Sequence, residues 1–136
     1  MSKRRKARKY AVQFLYGFDI NRQERDEALE DFWEANRASS EIRDFSTALI
    51  NGTLDNVEEL DKRIGEHSRN WNLSRIALVD KNILRIAVFE LLFRADIPAP
   101  VTIDEAVELA KYFGTPDTAR FVNGILDNIR KETADH

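Results

Sequence analysis

The amino-acid sequence predicts an all-α protein of six or seven helices, arranged as two small packed helical subdomains. Three observations lead there. No apolar–polar alternation is sustained over four residues between turn signals, whereas apolar residues at helical spacing recur along almost the whole chain. Residues that stop or restart helices, such as Gly65, Pro98, Pro100, Gly114 and Pro116, fall between those periodic stretches. With 136 residues, 43% of them hydrophobic and 33% charged, the chain can close one core without staples. It reads as a single domain over residues 1–136, with an N-terminal subdomain over about 3–66 and a C-terminal one over about 74–132.

The first helix is predicted over residues 3–20. Ala7, Ala11, Phe14, Leu15 and Phe18 recur as one buried stripe, and Arg5, Lys9, Val12 and Tyr16 fall on the opposite side. A second helix over residues 24–36 buries Ala28, Leu29, Phe32 and Trp33, and its outer face is acidic through Glu27, Glu30, Asp31 and Glu34. Ser39 or Ser40 caps a third helix, whose apolar face runs from Ile42 to Ile64 and which Asn51-Gly52 can kink or interrupt. Residues 65–72 read as a connector in which Trp71 packs. The next helix, residues 74–95, is apolar on nearly every side and therefore belongs at the centre, with Glu90 and Arg94 as a favourable i,i+4 pair. Pro98 and Pro100 end it in an extended link, and Thr102 with Glu105 forms a capping box for the helix that follows. Gly114 stops that helix, and Thr115-Pro116 starts the last one as N-cap and first-turn proline.

Charge is distributed unevenly. The chain is acidic overall, with 21 Lys+Arg against 24 Asp+Glu, yet Lys3, Arg4, Arg5, Lys6, Arg8 and Lys9 crowd the start without one acid among them. Cations at a helix N-terminus oppose the macrodipole, by ~0.3–1 kcal/mol each, so the cluster points to another use. Neutralising phosphates is one such use, because displaced counterions favour binding. Tyr16, on the same side as Arg5 and Lys9, fits two roles, stacking on an unpaired base or packing against the neighbouring subdomain. A weaker phosphate site is the turn from Tyr112 to Arg120, where a fresh helix N-terminus meets Lys111 and Arg120, although Asp117 and Thr118 compete for its N–H groups.

Catalysis finds no support. No nucleophile elbow, Walker loop or dinucleotide fingerprint is present. There is no cysteine, His67 and His136 stand alone, and no metal or cofactor site is expected. The apolar run over residues 83–93 is too short for a bilayer, and the basic start lacks the apolar core of a signal peptide. An Arg-rich, acid-poor start also suits a transit peptide, but this one runs directly into core-forming helix. A cytoplasmic location is expected.

Residues 103–111 (IDEAVELAK), Phe113-Gly114 and residues 121–127 (FVNGILD) together resemble the C-terminal motif of the NusB family of transcription antitermination factors. Residues 80–91 (DKNILRIAVFEL) and the start, RRKAR at 4–8 followed by AVQFLY at 11–16, resemble it as well, so the similarity spans essentially the whole chain. It implies a non-enzymatic, NusB-like fold of two small helical subdomains. The expected partners are NusE, a small ribosomal subunit protein, and boxA-type single-stranded RNA of ribosomal RNA operons, with other Nus factors and RNA polymerase engaged indirectly. Arg4, Arg5, Lys6 and Arg8, with Lys9 and Tyr16 nearby, match the RNA-contacting start; Asp117 and Arg120 match a region near RNA; Asp80 matches an acidic position facing NusE. Thr115-Pro116 departs from the usual family turn. Arg5→Ala combined with Arg8→Ala is expected to weaken RNA binding while leaving helicity and NusE binding intact. The competing expectation is a protein-interaction module or homodimer without autonomous RNA binding, in which Val12 and Tyr16 are interface residues. An enzyme-class rival is the RNA-binding part of an RNA methyltransferase.

Overall fold

The computed structural model describes residues 2–68 and 75–134, excepting the side chain of Ala134. Among these residues there are seven helices and no strand: α1 (Lys3–Ile20), α2 (Arg25–Ala35), α3 (Ser40–Asp55), α4 (Val57–Glu66), α5 (Leu78–Phe93), α6 (Ala99–Phe113) and α7 (Pro116–Ala134). The expected packing of Trp71 lies outside the described residues; the helix expected from about Ser74 begins only at Leu78, after an extended Ala77. Side-chain caps start four of the helices. Ser2 accepts from the Arg5 N–H at 3.1 Å, Glu24 from Glu27 at 3.0 Å, Ser39 from Ile42 at 3.3 Å and Thr115 from Thr118 at 3.3 Å.

α5 is the central helix. It packs against α1, α3, α4, α6 and α7, which explains why Ile83, Leu84, Ile86, Ala87 and Val88 are buried around most of its circumference. α1 lies between α3 and α5, and α6 pairs with α7. All seven helices contribute to one continuous apolar core, α2 through Leu29 and α4 through Leu60 and Ile64.

Three local expectations give way to tertiary contacts. The long third helix does not break at Asn51-Gly52. It breaks at Asn56, whose side-chain amide turns back to donate to the Gly52 carbonyl at 2.7 Å. Gly52 stays within α3, and the ring of Phe89 on α5 sits where a side chain would be, so that an ideal Cβ would clash with its Cζ. Thr102 and Glu105 do not form a capping box. α6 begins earlier, with Pro98 at the N-cap and Pro100 within the first turn, where a missing N–H costs no hydrogen bond. Both side chains then reach other helices, Thr102 donating to Glu90 at 3.0 Å and Glu105 accepting from Arg5 at 2.8 Å. Glu90 and Arg94 do not pair either; Arg94 makes a two-pronged contact with Asp96 at 2.9 Å.

Candidate nucleic-acid interface

The six cations of α1 separate into two sets. Three have carboxylate partners brought in from elsewhere in the fold: Lys3 with Glu41 of α3 at 2.8 Å, Arg5 with Glu105 of α6 at 2.8 Å, and Arg8 with Glu90 of α5 at 2.7 Å. The other three, Arg4, Lys6 and Lys9, have no carboxylate within ion-pair distance among the described residues. Lys6 is exposed. Arg4 and Lys9 rest on aromatic rings instead, the Arg4 guanidinium 4.7 Å from the centroid of Phe45 and the Lys9 ammonium 3.4 Å from that of Tyr112.

Arg8 requires a correction. It was expected on the basic surface, but it is 3% exposed. Its Nε and Nη2 donate to the two carboxylate oxygens of Glu90 at 2.9 and 2.7 Å, and Glu90 is itself buried. Val12, expected on the same outer side, is also buried. The cause is geometric. A helix between two neighbours buries a wide arc; at ~100° per residue, Phe14, Ala7, Ala11, Leu15, Arg8 and Val12 span about 160°. Arg5, Tyr16, Lys9, Gln13 and Lys6 occupy the remaining side.

That outer side runs along α6. Arg5 reaches Glu105 and Lys9 reaches Tyr112, so long side chains bridge the two helices at points that advance in the same direction along both. The Arg5 guanidinium donates to both Glu105 oxygens and holds that carboxyl below the usual range against the opposing effect of burial. The same contact holds the Arg5 guanidinium more firmly protonated than an isolated one. Just beyond Tyr112, the chain turns at Gly114 into α7, where Arg120 and Asp117 form an exposed ion pair. Tyr16 is 41% exposed, so its ring is not consumed in the core.

Asp80 lies in the first turn of α5, and burial pushes its carboxyl above the ordinary range. It lines a cleft of about 350 Å³ together with Arg75, Asp117 and Phe121. The fold thus brings Asp80 and Asp117 to one opening, although they were read from the sequence as belonging to separate sites. Elsewhere, His67 and Arg63 of the α4 end both engage Glu132 of α7. Glu66, His67 and Glu132 place ligand-type atoms within 4.8 Å of one another, but Arg63 holds Glu132 as an ion pair across two helices.

Two aromatic residues in this region escaped sequence reading. Phe45 lies beneath the guanidiniums of Arg4, Arg8 and Arg94, a juxtaposition no local pattern encodes. Tyr112 is 62% exposed, and a signal for it did exist. At ~100° per residue it points about 180° away from Ile103, in the core stripe of its helix.

Fold and surface define a class of protein: a small all-helical binding module with a cationic, aromatic-lined helix edge. The particular family follows from comparison with known proteins. The NusB family model matches residues 5–131, and the chain belongs to the NusB family. Its relatives include the transcription antitermination protein NusB of Thermodesulfovibrio yellowstonii, 44% identical over 144 residues covering 98% of this chain and 95% of that protein. T. maritima NusB superposes with a TM-score of 0.86 at 38% identity, covering 95% of this chain and 91% of that one. The NusB chain of a crystal structure of antitermination factors NusB and NusE with double-stranded RNA superposes with a TM-score of 0.86 at 27% identity, covering 97% and 98%. No helix among the described residues is long and apolar enough to cross a membrane.

Proposed function

We propose that this chain acts in the cytoplasm as a non-enzymatic antitermination factor, binding boxA-type single-stranded RNA jointly with NusE and joining the elongation complex through other Nus factors. The observation that carries this reading is that Lys6 and Lys9 stand on the outer side of α1 without a carboxylate partner among the described residues, with Arg4 likewise free of an ion pair at the start of the helix, on an otherwise acidic body. Cations already paired with carboxylates gain little from phosphate, whereas unpaired ones release counterions when they meet it. Arg5 assists by stiffening the edge through Glu105. Tyr16 supplies an exposed ring for a base, and Asp117 with Arg120 borders the strand at the turn. Asp80, which lines the neighbouring cleft, would supply the acidic contact to NusE.

The test is binding to boxA-type and scrambled RNA, with and without NusE, over a salt series. A phosphate contact on single-stranded RNA contributes about −0.7 to the slope of log K against log salt. Lys6→Ala should therefore flatten that slope by about 0.7 while leaving thermal stability unchanged. Equal, salt-independent affinity for both RNAs would reject the function.

A further inference from the structure

We infer that Tyr112 is a preformed stacking platform for one unpaired nucleobase, with Lys9 as its cationic backing; this rests on the RNA-binding reading above. An exposed tyrosine in the last turn of a helix would ordinarily be free to rotate, but this one is held from two directions. Its ring stands edge-on to Phe113, with centroids 4.8 Å apart and planes at 88°. The Lys9 ammonium covers one face at 3.4 Å from the centroid. The ring nevertheless remains 62% exposed, so its orientation is fixed without being buried. A platform ordered before binding loses little side-chain freedom when a base arrives.

The surroundings favour a nucleic-acid base over a protein side chain. Lys9 contacts the ring and has no carboxylate partner among the described residues; Lys111, the preceding residue, and Arg120, just past the following turn, are exposed cations paired with Glu108 and Asp117. Aromatic rings interleaved with cations are the composition of single-strand binding surfaces, where bases stack and phosphates meet the charges. A protein partner covering Tyr112 would have to desolvate those charges at the centre of its contact, where charged residues are depleted. Lys9 therefore has two roles: it polarises the ring from behind and can meet the phosphate beside the stacked base.

The experiment uses the full chain with NusE and a boxA-type RNA in which single bases are replaced in turn by 2-aminopurine. Wild type should quench one probe position strongly, through stacking. Tyr112→Phe keeps the ring and should retain both quenching and affinity. Tyr112→Ala and Tyr112→Leu should abolish that quenching and weaken RNA binding by about 5- to 150-fold, the range for loss of one stacked base. The salt slope should not fall, since no phosphate contact is removed. Unchanged RNA affinity and quenching in Tyr112→Ala would overturn the inference while leaving the function intact. So would a loss confined to NusE binding measured without RNA, which would make Tyr112 a protein contact. Absence of RNA binding by the wild type would overturn the function and this inference together.

Discussion

Arg8 and Glu90 offer the sharpest test of whether a charge in the basic run serves binding or folding. Arg8→Ala leaves the Glu90 carboxylate buried in the core, with the Thr102 hydroxyl as its one remaining side-chain donor among the described residues. Removing one partner of a buried ion pair costs about 3–5 kcal/mol, because the remaining charge is uncompensated. Unfolding entropy near ~2.1 cal/mol/K per residue gives about 0.29 kcal/mol/K for 136 residues, so Tm should fall by about 10–17 °C. The assay is thermal and urea unfolding followed by circular dichroism, paired with RNA binding at a temperature where the variant remains folded.

Stability should drop by that amount while RNA affinity of the folded variant stays near wild type. Arg8→Met with Glu90→Leu should recover most of the loss, since replacing both charges removes the desolvation cost along with the pair. A stability loss below about 1 kcal/mol for Arg8→Ala, the level of a surface pair, would refute the reasoning. The same result changes how an Arg5→Ala, Arg8→Ala double variant is read: weakened binding there would reflect a damaged fold.

Two further predictions concern the contacts that set the helices in place. Gly52→Ala forces a methyl group into the ring of Phe89 and should destabilise by about 1–3 kcal/mol in urea unfolding, against the usual gain from alanine in a helix. Wild-type stability or better in that variant would show that α3 and α5 do not approach this closely. Glu105 has a carboxyl held below its ordinary range by Arg5, so it contributes stability that is present above the unfolded-state value and is lost as pH falls through the folded-state value. Unfolding measured from neutral pH into the acid range should thus show a stability decline that Glu105→Gln makes shallower; an identical decline in that variant would remove Glu105 from the account.

Much of the fold was legible because it depends on local patterns. The apolar stripe of α1, the all-round apolar character of α5, the Ser39 cap and the Thr115-Pro116 restart are each written within a few consecutive residues. What failed did so where a distant side chain outbid the local signal. Asn51-Gly52 is a fair break signal, but Phe89 needs the space at Gly52 and the helix continues. Thr102 and Glu105 have capping-box spacing, yet Glu90 and Arg5 take their side chains. The site was legible to the same limit. Clustering of six cations is visible in the sequence, but which of them are neutralised depends on Glu41, Glu90 and Glu105, and pairing with those acids exists only after folding.

The buried pair and the free charges are therefore two results of one constraint. α1 is fixed against α5 near both ends: Arg8 clamps Glu90 at one, and Asp19 accepts from Asn82 at 3.1 Å and from Arg85 at 3.4 Å at the other. These contacts set the rotation of the helix about its axis. A slip of one residue would turn every side chain by ~100°: in one sense Arg8 would swing out to solvent, and in the other Lys9 would swing into the place of Arg8 in the core. Glu90 cannot accept that slip, because its buried carboxylate requires the bidentate guanidinium that only Arg8 presents there. Sacrificing one arginine to the interior is what holds Lys6 and Lys9 on the outside in register with Tyr112, and turns a run of like charges into an oriented surface.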